Sequence, residues 1–451
     1  MPKQKINNYR IIEESGKQYI FISQTSSLFE ISDEVRNMID EDKQLFIYNE
    51  TVYDKQIVEQ LDKAGFFVES FEKTKIKLER NDLKPTALVL MLSQDCNLRC
   101  KYCYAGDGKY HNKGFMKEDI AKRAIDYAFE NFETDNISII LFGGEPLLNQ
   151  SIFEFCVKYS NKKAIESNKR VNFSITTNGT LLNKENAKII IDNNFNVTLS
   201  IDGDSKTHDK NRFYMDKRGS YDDAVNNVRE YLGVHNISAR ATLTKHNPNI
   251  KEIFEHLHGL GFRTVHISPS IEFMDKNAYD RLIESYREMI EEFNKRLKNK
   301  DYRYCLGMTN IVSYLDRINR GGVRGKFCGA YNNMIVVDIE GSFYGCHRLV
   351  AAQETKYGNI FKENIIDEKI KKEVINKLVN RGNSDCNKCW ISSLCGGGCP
   401  AENYYFNTDF TIPNALTCYY LKSIMIYLIK LYLSLSEEEK EVLFNNRKIR
   451  D

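Results

Sequence analysis

The sequence comprises 451 residues, of which 42% are hydrophobic, 28% are charged and 7 in number are proline. This composition is typical of a folded chain of two or three domains and excludes long disordered linkers. A formal net charge of +2 gives no general reason to expect nucleic acid or an acidic membrane as a partner. Because we find neither a signal peptide nor a continuous apolar run of about 18 residues, we expect a cytoplasmic protein without a membrane segment.

The N-terminal segment predicts a small β-then-α module. Residues Tyr9 to Glu30 alternate apolar and polar side chains around Ser15-Gly16, which predicts a hairpin and a following strand. Helical spacing then covers residues 32–40 and 53–64, and Gly65 is a plausible helix stop. The charged stretch at 71–85 is interpreted as a linker.

A strand-helix alternation begins at Ala87. Short apolar strands are predicted at 87–92, 137–142, 171–177, 196–201, 238–244 and 264–268. Helices are predicted after them at 117–132, 149–166, 183–193, 221–231, 249–260 and 277–298. Six such units indicate an α/β fold with a parallel sheet, either flat or curved into a barrel, and with the active site at the carboxyl ends of the strands.

The regular alternation fades beyond about residue 310. We expect a hairpin turning at Glu340-Gly341, a charged helix at 362–379, a cysteine-dense stretch at 386–399 and a helical tail at 419–446. The cysteine-dense stretch contains too little hydrophobic sequence for a core of its own. Bound metal is therefore its simplest source of stability.

Three of the twelve cysteines follow the first predicted strand as C-x3-C-x2-C: Cys96, Cys100 and Cys103. Three thiolates on one loop can hold three irons of a [4Fe-4S] cube and leave the fourth iron open, whereas structural zinc takes four ligands. Twelve cysteines in a reducing compartment are not expected to form disulfides. The alternative is that the three side chains are simply buried in a loop.

This loop resembles that of the radical S-adenosylmethionine (SAM) enzymes, and Gly143-Gly144-Glu145-Pro146 after the second strand resembles their GGEP motif. The resemblance implies a partial (βα)6 TIM-like radical SAM barrel. It also implies that Cys96, Cys100 and Cys103 ligate the catalytic SAM-binding [4Fe-4S] cluster, and that the GGEP residues contact the amino group of SAM. The further cofactor-binding residues that it implies are Tyr102, Thr176, Asn178, Ser200, Asp202, Arg212 and Leu243.

Seven further cysteines resemble the pattern of the SPASM extension, which carries auxiliary [4Fe-4S] clusters. The resemblance implies a distal cluster held by Cys386, Cys389, Cys395 and Cys418, and a nearer cluster held by Cys328, Cys346 and Cys399. Three clusters and SAM would then be the cofactors. The eighth auxiliary ligand is either Cys305 or a substrate thiolate at an open position. A zinc ribbon is the alternative, but it leaves Cys328, Cys346 and Cys418 without a role.

These assignments predict four segments: a leader-peptide recognition domain at 1–80, the barrel at 85–305, the SPASM domain at 306–425 and a C-terminal helix at 426–451. The first resembles the small winged-helix element of many peptide-maturing enzymes. We expect it to bind the leader of a precursor peptide by strand addition along Tyr19 to Phe29. A DNA-binding winged helix and a capping subdomain without a ligand are the alternatives.

The chain resembles the sulfatase maturases over the barrel and the C-terminal extension. In that family an aspartate after the second extension cysteine acts as general base, but here His347 follows Cys346. This departure, together with the added N-terminal module, favours thioether formation in a cysteine-rich ribosomal peptide, of the sactipeptide or ranthipeptide type. Carbon-carbon crosslinking, formylglycine formation and a zinc-stabilised nucleic-acid scaffold are the alternatives. A flavodoxin- or ferredoxin-like electron donor is expected as a partner, but no nucleic acid and no membrane.

Overall fold

A computed structural model describes residues 2–68, 84–106, 108–232, 236–270, 274–321, 328–331, 333–379 and 384–445. The chain divides into two units, each made of separate stretches. Unit 1 contains Met1–Asp82, Ile311–Cys328 and Lys377–Asp451, and unit 2 contains Leu83–Asn310 and Gly329–Asn376. Most of the predicted linker at 71–85 lies outside the described residues.

The N-terminal part of unit 1 consists of two small antiparallel sheets and two helices. Its elements are β1 (Lys3–Lys5), β2 (Tyr9–Glu14), β3 (Lys17–Ile22), β4 (Ser27–Ile31), α1 (Asp33–Asn37), β5 (Ile39–Asp40), β6 (Leu45–Ile47) and α2 (Val52–Lys63). The predicted hairpin is present, and Ser15 and Gly16 at its turn have φ values of 52° and 74°. Gly65, with φ of 74°, follows α2 as predicted.

The strand order β2-β3-β4 corrects one expectation about this module. Because β3 pairs with β2 on one side and β4 on the other, Tyr19 of β3 is central and offers no edge to a peptide. Alternation of side chains indicates the strands but not which of them is outermost. Among the described residues, β4 has an outer edge without a paired strand, and Phe29 on it is 43% exposed.

Unit 2 follows the predicted alternation closely. The elements begin with β7 (Ala87–Ser93), α3 (Glu118–Asn131), β8 (Asn136–Gly143), α4 (Gln150–Glu166), β9 (Arg170–Thr177), α5 (Lys184–Asp192), β10 (Asn196–Ser200), α6 (Ser205–Asn211) and α7 (Tyr221–Val228). They continue with β11 (Ile237–Leu243), α8 (Ile250–Gly259), β12 (Thr264–Pro269), α9 (Lys276–Lys298), α10 (Tyr302–Gly307) and α11 (Thr309–Arg320), whose residues from Ile311 onward belong to unit 1. The predicted hairpin and the segment after it supply β13 (Met334–Val337), β14 (Ser342–Tyr344), β15 (Gly358–Asn359) and α12 (Glu368–Val379), which begins later than predicted and ends in unit 1.

These strands form one sheet in the order β12-β11-β10-β9-β8-β7-β13-β14-β15. In this order, the strands from β12 through β7 to β13 run parallel to one another. Strand β14 is antiparallel to β13, and β15 is antiparallel to β14. The six βα repeats confirm the predicted α/β class. The parallel arrangement brings the carboxyl ends of β7 to β13 to one edge, where the loops that bear the predicted site residues begin.

The C-terminal part of unit 1 contains α13 (Ser384–Asn387), α14 (Ser392–Cys395), α15 (Pro400–Asn407), α16 (Ala415–Leu433) and α17 (Glu437–Lys440). Of the helices in the described part of the chain, α16 is the one long and apolar enough to cross a membrane, with a mean hydropathy of 1.2. It packs against β2 and buries Leu421, Ile424 and Leu428 inside unit 1. Burial of this kind is typical of a helix that packs in the core of a folded domain.

Candidate active site at the carboxyl ends of the strands

The loop after β7 presents the three predicted cysteines. Burial raises the pKa of Cys96 to about 12 and that of Cys100 to about 11, and the thiols of Cys100 and Cys103 add to the two effects. A thiol must lose its proton to bind a metal ion, and a metal ion bound between neighbouring sulfur atoms favours that loss. The donor set therefore fits an iron-sulfur cluster, with Cys103 as the third ligand on the loop.

Two glycines of the second strand end allow the cysteine loop to approach. A Cβ at Gly143, whose φ is +148°, would lie 2.2 Å from the carbonyl oxygen of Ser93. A Cβ at Gly144 would lie 2.3 Å from the carbonyl oxygen of Asp95. No larger residue fits at either position without moving the backbone of the loop.

Glu145 connects the ends of β8 and β9 from a fully buried position. Its Oε1 accepts hydrogen bonds from the Thr177 hydroxyl at 2.8 Å and the Leu147 amide at 3.2 Å. Its Oε2 accepts one from the Asn178 amide at 2.7 Å. Burial raises the pKa of Glu145 to about 7 although these bonds oppose the effect. The carboxylate thus holds two strand ends, and its predicted contact with the SAM amino group stays a prediction.

Asn178 reaches the cysteine loop directly. Its Nδ2 donates to Oδ1 of Asn97 at 2.9 Å and lies 3.8 Å from Sγ of Cys96. The loop after β9 therefore supports the first cysteine.

Three predicted cofactor residues form one buried chain. Arg212 Nη1 donates to the Tyr102 hydroxyl at 2.7 Å, and that hydroxyl donates to Oδ2 of Asp202 at 2.5 Å. Burial raises the pKa of Asp202, whereas the charge of Arg212, the Tyr102 hydroxyl and the Thr242 amide oppose that rise. Nε of Arg212 is buried without a hydrogen-bond partner in the described part of the chain. It therefore leaves a donor that suits the carboxylate of SAM.

The remaining predicted contacts lie on both faces of the sheet. Thr176 and Ser200 are partly exposed and alternate with buried neighbours, and Ser200 is paired in register with Arg240. Leu243 is fully buried and belongs to the opposite face of β11, together with Ala241. The first two thus share a face with Arg240, and Leu243 does not.

His347 lies near the cysteine loop within unit 2. Its ring is 4.3 Å from the Phe142 ring and 6.2 Å from the Tyr104 ring, measured between centroids. Tyr104 in turn is close enough to Cys103 and Cys346 for both thiols to raise its pKa, after burial as the main cause. Burial, with the charges of Arg240 and Arg348, lowers the pKa of His347 to about 3. The imidazole is therefore neutral, and its ring is tilted by 39° to that of Phe142 and by 53° to that of Tyr104.

The predicted distal ligands come together in unit 1. Burial raises the pKa of Cys418 to about 12, and the thiols of Cys395, Cys386 and Cys389 contribute to the rise. Four converging thiols are a set that suits a closed cluster.

The other cysteines are distributed over both units. Cys328 and Cys399 belong to unit 1 and Cys346 belongs to unit 2, so the nearer cluster stays a prediction. Cys305 is fully buried on α10, where its Sγ donates to the Phe293 carbonyl at 3.5 Å. Cys156 is also fully buried, as expected for a small core residue.

Several residues of the site were not predicted. His208 accepts the Asp202 amide through Nδ1 at 3.3 Å, and its Nε2 lies 3.0 Å from the Ser220 hydroxyl, which in turn donates to the Arg212 carbonyl. Thr177, rather than its predicted neighbour Thr176, binds Glu145. No local sequence signal indicates these partners. The alternation of side chains along β11, in contrast, predicts that Arg240 points to the opposite face of the strand from Ala241 and Leu243.

Comparisons with known proteins identify similar sequences and similar folds. Residues 90–238 match the model of the Radical SAM superfamily. The chain is 28% identical over 342 residues to a cysteine-type anaerobic sulfatase-maturating enzyme of Clostridium novyi. The aligned region covers 69% of this chain and 87% of that protein. The solved structure of anSMEcpe with bound AdoMet matches with a TM-score of 0.66 at 20% identity, over 78% of this chain and 100% of the other. That of Streptococcus suis SuiB bound to precursor peptide SuiA matches with a TM-score of 0.51 at 16% identity, over 92% of this chain and 99% of the other.

Proposed function

Because the chain belongs to the radical SAM superfamily, we propose that it is a maturase that joins a cysteine sulfur to a carbon atom within a ribosomally made, cysteine-rich precursor peptide. The reaction would remove a hydrogen atom from the carbon, which the nucleoside fragment of cleaved SAM takes up, and a proton and an electron from the thiol, of which the electron would pass to an auxiliary cluster. The peptide product is therefore two hydrogens lighter.

The cofactors would be held by the residues described above. Cys96, Cys100 and Cys103 would ligate the SAM-binding [4Fe-4S] cluster, while Asp202 and Arg212 would orient SAM. Bound together, cluster and SAM supply the one-electron chemistry that removes a hydrogen atom from carbon, with a flavodoxin- or ferredoxin-like protein as the electron source. The distal and nearer cysteine sets would carry two auxiliary clusters.

His347 is the observation that favours thioether formation over the sulfatase reaction. The residue after Cys346 is a partly buried neutral imidazole that packs against Phe142 with the two rings tilted by 39°, and its pKa is lowered to about 3. Such a group is a poor base at neutral pH and carries no negative charge. Burial of Cys305 also supports an open position on the nearer cluster, where a substrate thiolate would bind.

The N-terminal module would recognise the leader of the precursor. SuiB, whose structure holds precursor peptide SuiA, matches 92% of this chain, which supports this part of the proposal. The leader would add as a strand to the outer edge of β4, with the exposed Phe29 beside it. Main-chain hydrogen bonds would provide affinity, and side-chain contacts would provide selection.

Leader binding is tested by fluorescence anisotropy with a labelled leader half of a precursor encoded beside this gene. We expect Phe29→Ala to weaken binding at least fivefold. Phe361→Ala is the matched control, because Phe361 is 49% exposed but lies in unit 2. Equal affinities of the two variants would exclude β4 as the binding edge.

Thioether formation is tested with anaerobically reconstituted protein, SAM, a reductant and the full precursor. We expect a loss of two hydrogens by mass spectrometry and protection of one cysteine from alkylation. A precursor in which that cysteine is replaced by alanine should remain unmodified. Loss of two hydrogens with every cysteine still open to alkylation would instead indicate a carbon-carbon crosslink.

Sulfatase maturation is the second candidate, and the 28% identity to the Clostridium novyi enzyme favours it. Its substrate would be a cysteine-containing sulfatase peptide, and its product would carry an aldehyde that a hydrazide probe detects. Formation of that aldehyde, without modification of the cysteine-rich precursor, would replace the thioether proposal.

A further inference from the structure

Three potential metal ligands meet outside the cysteine sets. His111 follows the cysteine loop, Asp338 follows β13 at its carboxyl end, and Glu340 lies in the turn between β13 and β14. One ligand atom from each side chain lies within 4.8 Å of the other two. All three residues belong to unit 2.

Two of these side chains have buried polar atoms without hydrogen bonds. Both ring nitrogens of His111 are buried and have no partner in the described part of the chain. Asp338 is fully buried, and its Oδ1 accepts the amides of Ser342 at 2.7 Å and Glu340 at 2.9 Å. Its Oδ2 has no hydrogen bond of good geometry within the described residues, and the Tyr344 hydroxyl is its nearby polar neighbour, since the Asp338 carboxylate raises the pKa of Tyr344 further after burial. Burial of a polar atom without a hydrogen-bond partner destabilises a fold, so these atoms favour a bound ligand.

A direct contact between His111 and Asp338 would satisfy only part of this set. It would use one imidazole nitrogen and Oδ2, and it would leave the second buried nitrogen of His111 without a partner.

One imidazole and two carboxylates form a donor set that suits a borderline divalent cation such as Zn²⁺. The two negative charges balance those of the ion. Oxygen and nitrogen ligands bind zinc at about 2.0–2.2 Å, so two ligand atoms on one ion lie at most about 4.4 Å apart. A small movement of Glu340, which is exposed, closes the remaining difference.

Hydrogen bonds already connect the two segments that carry these ligands. Asn112 Nδ2 donates to Oε1 of Glu340 at 2.7 Å. Gln94 Nε2 donates to the Asn112 carbonyl at 2.9 Å, while its Oε1 accepts the Ile339 amide at 3.2 Å. An ion here would tie the end of the cysteine loop to the hairpin of β13 and β14.

We propose that His111, Asp338 and Glu340 bind one divalent transition-metal ion, separate from the cysteine-ligated clusters, which braces the cysteine loop. The site needs no thiol. It therefore does not depend on whether the peptide reaction proposed above is correct.

The test uses the cluster-reconstituted full chain, treated with chelator and dialysed against Zn²⁺. We expect metal analysis to find one zinc per wild-type chain and at least tenfold weaker zinc binding in His111→Gln and Asp338→Asn. Asparagine keeps the Oδ1 that accepts the Ser342 and Glu340 amides, so the turn should survive. His246→Gln, at an exposed histidine of the same unit, is the control and should bind as the wild type does.

A second readout separates binding from folding. Zinc should raise the thermal midpoint of the wild type and of the His246→Gln control but not that of His111→Gln, at equal iron content. If Asp338→Asn fails to fold, Glu340→Gln takes its place, since glutamine keeps an oxygen for Asn112. The proposal is overturned if the wild type binds no zinc, or if the variants bind zinc as tightly as the wild type.

Discussion

The Ser23 hydroxyl donates a hydrogen bond to the Cys389 carbonyl at 3.1 Å and lies 2.9 Å from the Ser392 hydroxyl. Ser23 follows β3, so the N-terminal sheet supports a loop that bears a predicted distal ligand. Nearby, the Ser26 and Ser393 hydroxyls are 2.7 Å apart, and the Phe21 and Trp390 rings meet edge to face at 6.1 Å. The N-terminal module and the distal cysteine segment are thus packed together within unit 1.

Ser23→Ala tests this dependence. The change removes one of two donors to the part-buried Cys389 carbonyl, which also accepts the Ser392 amide at 3.1 Å, and loss of one such hydrogen bond costs about 0.5–1.5 kcal/mol. We expect faster loss of iron to a chelator and a lower thermal midpoint. Ser423→Ala removes an exposed hydroxyl that bonds only within α16, and it should behave as the wild type does. Equal iron loss in the two variants would contradict the dependence.

Glu145→Gln should weaken SAM binding. The carboxylate accepts three hydrogen bonds, whereas a glutamine NH₂ would face at least one of those donors. We expect about tenfold weaker SAM binding by equilibrium dialysis, which corresponds to about 1.4 kcal/mol. The control is Glu166→Gln, at an exposed position on α4. Unchanged SAM affinity at unchanged iron content would show that the ends of β8 and β9 keep their positions without the Glu145 carboxylate.

Gly144→Ala should disrupt the cysteine loop. The new Cβ would lie 2.3 Å from the Asp95 carbonyl oxygen and 2.8 Å from that of Gly108, and both contacts are with backbone. We expect the reconstituted variant to lose the SAM-binding cluster, seen as a smaller iron content and loss of SAM cleavage. Gly259→Ala is the matched control because its Cβ meets nothing within 4 Å. That helical substitution should be neutral or stabilising by up to about 1 kcal/mol.

His208 predicts a pH dependence of stability. Burial, together with the charge of Arg212, lowers the pKa of His208 to about 2, whereas a histidine in the unfolded chain titrates near 6.5. Between these values the unfolded chain binds a proton that the folded chain does not. The contribution of His208 is therefore complete above about pH 6.5 and declines by up to about 1.4 kcal/mol per pH unit below it.

The measurement compares the free energy of unfolding at pH 7.5 and 5.5 for the wild type and His208→Asn. Asparagine can still accept the Asp202 amide, as Nδ1 of His208 does. We expect the variant to lose less stability than the wild type on acidification. Identical losses would mean that His208 is protonated in the folded chain.

Local patterns predicted the strand-helix repeats because they depend on residues close in sequence. The strand β8, for example, alternates buried Ile137, Ile139 and Leu141 with less buried positions. The order β2-β3-β4 depends instead on pairing between strands, which a single strand's composition does not encode. For the same reason the Glu145 partners on β9, and the approach of His111 to Asp338, could not be predicted.

Unit 1 takes its chain from both ends of the sequence, and this has a consequence for synthesis on the ribosome. Its first stretch ends at Asp82 and its last begins at Lys377. At about 5–20 residues per second, the N-terminal sheet emerges roughly 15 to 60 s before the segment that contains Cys389. During that interval Ser23 and Phe21 have no partners from the C-terminal stretch. A premature stop codon late in the gene would therefore leave these N-terminal residues without the partners that the C-terminal stretch supplies.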